Sequence, residues 1–315
     1  MTTARSAGVH GSPELSAVPV RPVALIVLAQ VVLLTALSGR YGYHRDELYF
    51  RIAGEQLAWG YVDQPPLTPL LAKLSTAAFG DSLVGLRVVA SLLAAASVLV
   101  LVLIARELGG SRRALLLTAG CAAGSAIVFA LGHMLATASA DLFLWLLFSW
   151  LALRLLRTGD PRWFVPLGLV LGVGLLNKYL IGLLAFGLLV AVAIVGPRVV
   201  LRSWWFAGGA LLALAVAAPN LWWQIAQGWP QWEVAAGLAA EDGAENRALF
   251  VPLQLVYLSP LFVPLWVAGA VRIWRTAELR WARSVVVAYV LLAGCVLALG
   301  GKSYYVLPLL LVLLA

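Results

Sequence analysis

Residues 41–70 read YGYHRDELYFRIAGEQLAWGYVDQPPLTPL, the only long stretch in the first half of the chain that is not oily. It holds Asp46, Glu47, Glu55 and Asp63, four of the fourteen acidic residues, with His44, Arg45 and Arg51, and it closes on Pro65-Pro66. The runs on either side are apolar. A polar, proline-punctuated loop directly after a first apolar run is where chemistry is expected in a chain otherwise made for lipid.

The composition around that loop decides the class. Of 315 residues, 63% are hydrophobic and only 11% charged, whereas a soluble domain carries about a quarter charged residues. The chain reads as all-α, a polytopic transmembrane helix bundle. Its net charge of +8 does not argue for nucleic acid, because nearly all the arginine lies in short loops between apolar runs, where basic residues set orientation. Cys121 and Cys295 lie inside apolar runs and read as small core residues rather than a disulfide or a metal knuckle.

A span needs roughly 20 apolar residues. About ten segments qualify: 22–38, 82–105, 114–132, 138–157, 163–177, 179–196, 203–222, 248–271, 284–299 and 304–315. The first reads as a signal anchor, since many spans follow it. Residues 1–21 are expected to be a disordered cytoplasmic tail, with 22–315 as one transmembrane domain. The closing run YYVLPLLLVLLA stops inside an apolar segment, so a missing C-terminal part is expected. With the N-terminus inside, the inner segments carry fourteen basic and four acidic residues and the outer ones eight and ten. That asymmetry follows the positive-inside rule. It places the first loop (39–81), the loop 223–247 and residues 300–303 on the outer face.

Within the first loop, Asp46 to Ala58 has a helical pattern. Tyr49, Ile52, Ala53 and Leu57 share one face, and Glu47, Arg51 and Glu55 follow at i, i+4 and i+8 on another. It is expected to lie in the interface, with Pro69 to Ala78 as a second interfacial piece. In 223–247, the Gly-Trp-Pro turn and the run EDGAEN predict a mobile loop.

The candidate chemistry gathers on one leaflet. Asp46 and Glu47 are adjacent carboxylates at a helix start, and the plainer account makes Asp46 an N-cap and Glu47 a surface partner of Arg51. Asp63 precedes the diproline, either as an Asx-turn or as a rigidly held acid. His133 and Asp141 flank the outer turn of the 114–157 hairpin. Lys178 lies between two apolar runs, where it either snorkels or meets an anionic phosphate. Lys302 sits beside Tyr304 and Tyr305. Carboxylates can take a proton from an acceptor, cations can neutralise a phosphate, and aromatics can stack on a sugar. No Walker A or GxGxxG pattern for a soluble nucleotide occurs.

These stretches resemble one family. RDELYFRIAGEQLAWGYVDQPPLTPLLA is similar to the first outer loop of the family 39/83 glycosyltransferases, GT-C membrane enzymes that include relatives of protein O-mannosyltransferases and the lipid A aminoarabinose transferase. The similarity runs from about residue 38 to the end. It includes the Asp-Glu pair, the acid-X-Pro-Pro-Leu segment, GHMLATASADLF, GLLNKY and KSYYVLPLL. The resemblance implies transfer of a sugar from a polyprenyl-phosphate donor to a lipid, glycan or protein on the non-cytoplasmic face of a bacterial inner membrane, with inversion. It implies Asp46 as general base, with Glu47 and Asp63 in support. Lys178, Lys302 and the Tyr304/Tyr305 pair match positions near the donor phosphate. A divalent metal is left open, with Asp63 the best candidate ligand.

Two residues depart from the aminoarabinose transferases, Tyr49 where they carry arginine and Gln64 where they carry lysine. Arg45 and Arg51, with His44, His133 and Asp141 nearby, then become further candidates for substrate contact. The C-terminal outer domain of many members has no counterpart in this sequence. A rival from another class is a secondary transporter or lipid-linked-sugar flippase. Such proteins place polar sites near the bilayer midplane in two matched halves, whereas charge here gathers at one end of the spans. A non-catalytic assembly protein, binding a partner through its outer loop, is a third reading and would not need Asp46 ionisable.

Overall fold

The computed structural model describes residues 15–315, and among them every regular element is a helix. The expected disordered tail lies, for residues 1–14, outside the described residues, and the chain is already helical at Val20. Helix α1 (Val20–Leu37) leads to two short helices, α2 (Arg45–Glu55) and α3 (Leu67–Phe79), at the positions read as interfacial. Helix α3 starts directly after Pro65-Pro66, with Pro66 as its N-cap residue; the ring fixes φ near the helical value where no amide donor is needed. Gly54 lets the two short helices touch, because a Cβ there would stand 2.9 Å from the Pro69 carbonyl oxygen.

Four helices follow: α4 (Leu83–Glu107), α5 (Arg112–Ala123), α6 (Ala126–Gly132) and α7 (Thr137–Thr158). Helices α4 and α7 form the centre. The apolar window of α7 is 78% buried against protein, while that of α1 is 17% buried and presents Leu25, Leu28 and Val32 outward. In lipid such exposed apolar faces need no protein cover. Leu101 and Ile104 of α4 and Trp145, Leu146 and Leu153 of α7 are almost fully enclosed.

The remaining helices are α8 (Phe164–Leu175), α9 (Leu180–Val195), α10 (Trp204–Ala226), α11 (Pro230–Leu258), α12 (Val263–Arg275), α13 (Arg283–Ala298) and α14 (Leu307–Leu314). Helices α8 and α10 cross at backbone contact, since a Cβ added at Gly168 would overlap the Gly209 carbonyl. Small residues at such a crossing are how membrane helices gain packing without a hydrophobic drive.

Each of the ten apolar segments has a helical counterpart, but they are unequal. Five helices are long and apolar enough to cross a membrane, and seven if each bent pair counts once. The pairs are α5 with α6, bent by 56°, and α11 with α12, bent by 85° at Ser259. Three other segments are shorter apolar helices. At 16 residues, α9 spans about 24 Å of a roughly 30 Å hydrocarbon core.

The mobile loop expected over 223–247 is corrected. Helix α11 begins at Pro230 and runs 29 residues. The turn signals belong to its start: Gly228 and Trp229 both take positive φ, and Pro230 sits at the first helical position. Beyond them, VAAGLAAEDGAENRAL is rich in alanine, glutamate and leucine, all strong helix formers. Asn246 Nδ2 donates to the Gly300 carbonyl at 2.9 Å and Arg247 Nη2 to that of Ala298 at 3.1 Å, pinning the helix to the turn after α13.

At the end opposite Asp46, the side chain of Glu107 is 1% exposed and joins α4 to α7. It accepts from Arg154 Nη1 at 2.6 Å and also from Arg157. Arg272 Nη2 donates to the Leu108 carbonyl at 3.2 Å. Arginines read as orientation signals are therefore also helix staples.

Candidate functional site

The site begins at the N-terminus of α2. His44 is the N-cap, its Nδ1 accepting from the Asp46 amide at 3.2 Å, and its own amide donates to Glu47 Oε2 at 2.8 Å. That reciprocal arrangement satisfies two amides the first turn cannot pair internally. Asp46 is therefore not the cap. Its carboxylate is 42% exposed; Arg45 Nε stands 3.3 Å from it, and His44 Nδ1, the acceptor of the Asp46 amide, 3.8 Å from it.

Glu47 points the other way, as adjacent helical residues diverge by about 100°. It does not pair with Arg51, which corrects the expected i, i+4 partnership. Its side chain is fully buried against the equally buried Arg87 of α4. Arg87 Nε reaches Oε1 at 2.9 Å and Nη2 reaches Oε2 at 2.7 Å. Arg87 also donates to the carbonyls of Ser38 at 2.5 Å, Gly42 at 2.8 Å and Tyr41 at 3.3 Å, and lies 4.1 Å from the Tyr41 ring centroid. Reasoning from sequence missed Arg87, counting it only as an outer charge, because nothing in local spacing ties it to a residue forty positions earlier. A charged side chain inside an otherwise apolar span was the available signal.

Asp63 comes to α2 one turn beyond Asp46. Its Oδ1 accepts from Tyr49 Oη at 2.6 Å, and burial together with the hydrogen bond to this carboxylate pushes the Tyr49 phenol up. Tyr49, the departure from the family pattern, is thus what holds Asp63. The diproline segment is tied onward: Thr68 Oγ1 donates to Asn177 Oδ1 at 2.8 Å, Leu67 N to the Leu176 carbonyl at 2.8 Å, and Asn177 Nδ2 to the Thr137 carbonyl at 2.9 Å. The first loop, the α8–α9 break and the start of α7 are one hydrogen-bonded unit.

Lys178 stands in that break, with Nζ 4.3 Å from the Tyr305 ring centroid and 5.6 Å from that of Tyr304. Burial pushes its ammonium below the ordinary lysine value; nearby Asp141 opposes this and Lys302 adds to it. Asp141, one turn into α7, is buried, and among the described residues its Oδ1 has no hydrogen-bond partner. Tyr304 and Tyr305 pack edge to face with centroids 4.9 Å apart. Lys178, Asp141, Lys302 and the tyrosines therefore form a second cluster.

The other candidates are placed as follows. Arg51 is engaged by Asp81 and lies 5.6 Å from the Tyr43 ring centroid. Arg45 is 89% exposed at the side chain, with its Nε 3.3 Å from Asp46 Oδ1. His133 packs between Tyr41 and Phe129, and its carbonyl accepts from Tyr41 Oη at 3.2 Å. Burial lowers the His133 imidazole, the Phe129 carbonyl opposes this, and Arg87 lowers it further. Among the described residues no three His, Cys, Asp or Glu side chains come together to hold a metal ion; Asp63, the expected best ligand, has Tyr49 as its neighbour instead.

A sequence model described as dolichyl-phosphate-mannose-protein mannosyltransferase matches residues 63–223. No curated protein matches. Among solved structures, the fold is similar to ArnT from Cupriavidus metallidurans bound to undecaprenyl phosphate, with a TM-score of 0.72 and 16% identity, covering 92% of this chain and 58% of that one. The same protein in the apo state matches with a TM-score of 0.67 and 15% identity, covering 94% and 59%. The chain thus spans under two thirds of the length of the structures it resembles, and at such identity the likeness is one of fold.

Proposed function

Since the chain belongs to the dolichyl-phosphate-mannose-protein mannosyltransferase family, we propose that it is a membrane glycosyltransferase that takes a sugar from a polyprenyl-phosphate donor. The fold it shares with a protein captured on undecaprenyl phosphate supports that donor class. The acceptor is a lipid, glycan or protein, and the reaction proceeds on the non-cytoplasmic face of an inner membrane.

One observation carries the assignment of the base. Of the two adjacent acids, Glu47 is consumed by Arg87 while Asp46 is left open at the surface with only small local contacts. The acceptor hydroxyl or amine gives its proton to Asp46 as it attacks the anomeric carbon. The carbon–oxygen bond to phosphate breaks with its electron pair staying on the phosphate oxygen, so displacement is direct and inverting. Lys178 and Lys302 neutralise the charge that develops on the phosphate, and Arg45, exposed beside Asp46, closes over it. Asp63, held against the next turn of α2 by Tyr49, orients the acceptor.

The test uses membranes containing the wild type or Asp46→Asn, supplied with undecaprenyl phosphate carrying labelled mannose or 4-amino-4-deoxyarabinose. Asparagine preserves shape but cannot take the proton, so transfer falls by at least about 100-fold at normal protein level. Wild-type transfer by this variant overturns the base assignment. Movement of intact donor across vesicles without transfer favours the transporter or flippase instead.

A further inference from the structure

The pair formed by Arg87 and Glu47 has a property that simple helix staples lack: it is closed. A guanidinium has five N–H donors and a carboxylate about four acceptor positions. Arg87 directs its donors to Glu47 Oε1 and Oε2 and to the carbonyls of Ser38, Tyr41 and Gly42. Glu47 receives those two bonds, the amide of His44 at 2.8 Å and the amide of Leu135 at 3.4 Å. Five donors and four acceptor positions are all used, and neither side chain is exposed. No capacity is left for substrate. What the network does instead is bind three separate pieces of chain to α4: residues 38–42, the first turn of α2 and the loop after α6.

We propose that Arg87 and Glu47 are positioning residues for Asp46, fixing the first turn of α2 so that its outward carboxylate stands at one place relative to α7. This rests on the reading of Asp46 as the base. Residue 46 is covalently next to one member and hydrogen-bonded through its amide to His44, whose own amide the network holds. A displacement of about 1 Å can cost a reaction on the order of 100-fold. Stability alone is weak grounds for a buried ion pair, since apolar replacements of both partners are often neutral or better. A pair that binds backbone from three segments sets geometry that apolar replacements do not.

The experiment uses the full chain in nanodiscs, comparing wild type, Arg87→Lys and the double variant Glu47→Leu/Arg87→Met. Lysine has three donors and no fork, so amide exchange at His44 and Leu135 rises about tenfold or more while exchange in α9 is unchanged. With the labelled donor that the wild type accepts, kcat falls about 10- to 100-fold and KM for the donor stays within about threefold. The double variant folds with a lower melting temperature, because the backbone carbonyls and amides that the pair bound lose these partners, and it keeps the low kcat. Wild-type kcat in a folded double variant, or unchanged exchange at His44 and Leu135 in Arg87→Lys, overturns the proposal. Normal transfer by Asp46→Asn removes the base reading separately, leaving the exchange result to decide whether the network orders the turn.

Discussion

The neighbours Asp46 and Glu47 are chemically alike and end in opposite environments. One faces solvent; the other is sealed against Arg87. Helical geometry makes them diverge, and the arginine decides which is buried. At the same scale, Lys178 supports a prediction about pH. Burial lowers its ammonium below the ordinary 10.5, so the charge is complete at low pH and is lost as pH rises through that lowered value. Binding of undecaprenyl phosphate should weaken on the alkaline side earlier than an exposed lysine would allow. Lys178→Arg, which stays protonated throughout, should hold binding to higher pH. Fluorescence titration of wild type and variant across pH reads the difference, and identical alkaline limbs remove Lys178 from the phosphate site.

Among the elements, α2 and α3 were legible because their periodicity is local and the diproline marks where one helix must begin. Helix α11 was not, because Gly228, Trp229 and Pro230 spell a turn that proves to be the helix start. The α8–α10 crossing was not legible either, since Gly168 and Gly209 sit in runs where any small residue would look the same. Gly168→Val should push these helices apart and destabilise the protein by about 1–3 kcal/mol, read as a fall in melting temperature in detergent. An unchanged melting temperature would mean that the backbones do not touch there.

For the whole molecule, the distribution of charge supports one orientation. Glu241→Cys on α11 should react with an impermeant maleimide from outside intact cells, and Glu278→Cys only after lysis, when both are measured against the native cysteines. The reverse pattern would invert the topology and move Asp46 to the cytoplasm.

Hydrophobic run length and loop charge are properties of the chain itself, so the all-helical membrane class, the approximate places of the apolar helices and the polar stretch around Asp46 could be read without coordinates. Which runs form long helices, which break at Ser259 or between α5 and α6, and which acid is sealed away depended on packing. An ion pair between residues forty positions apart, or a tyrosine that turns to hold Asp63, depends on how distant helices approach. That approach is a property of the assembled bundle, and no local window of sequence contains it.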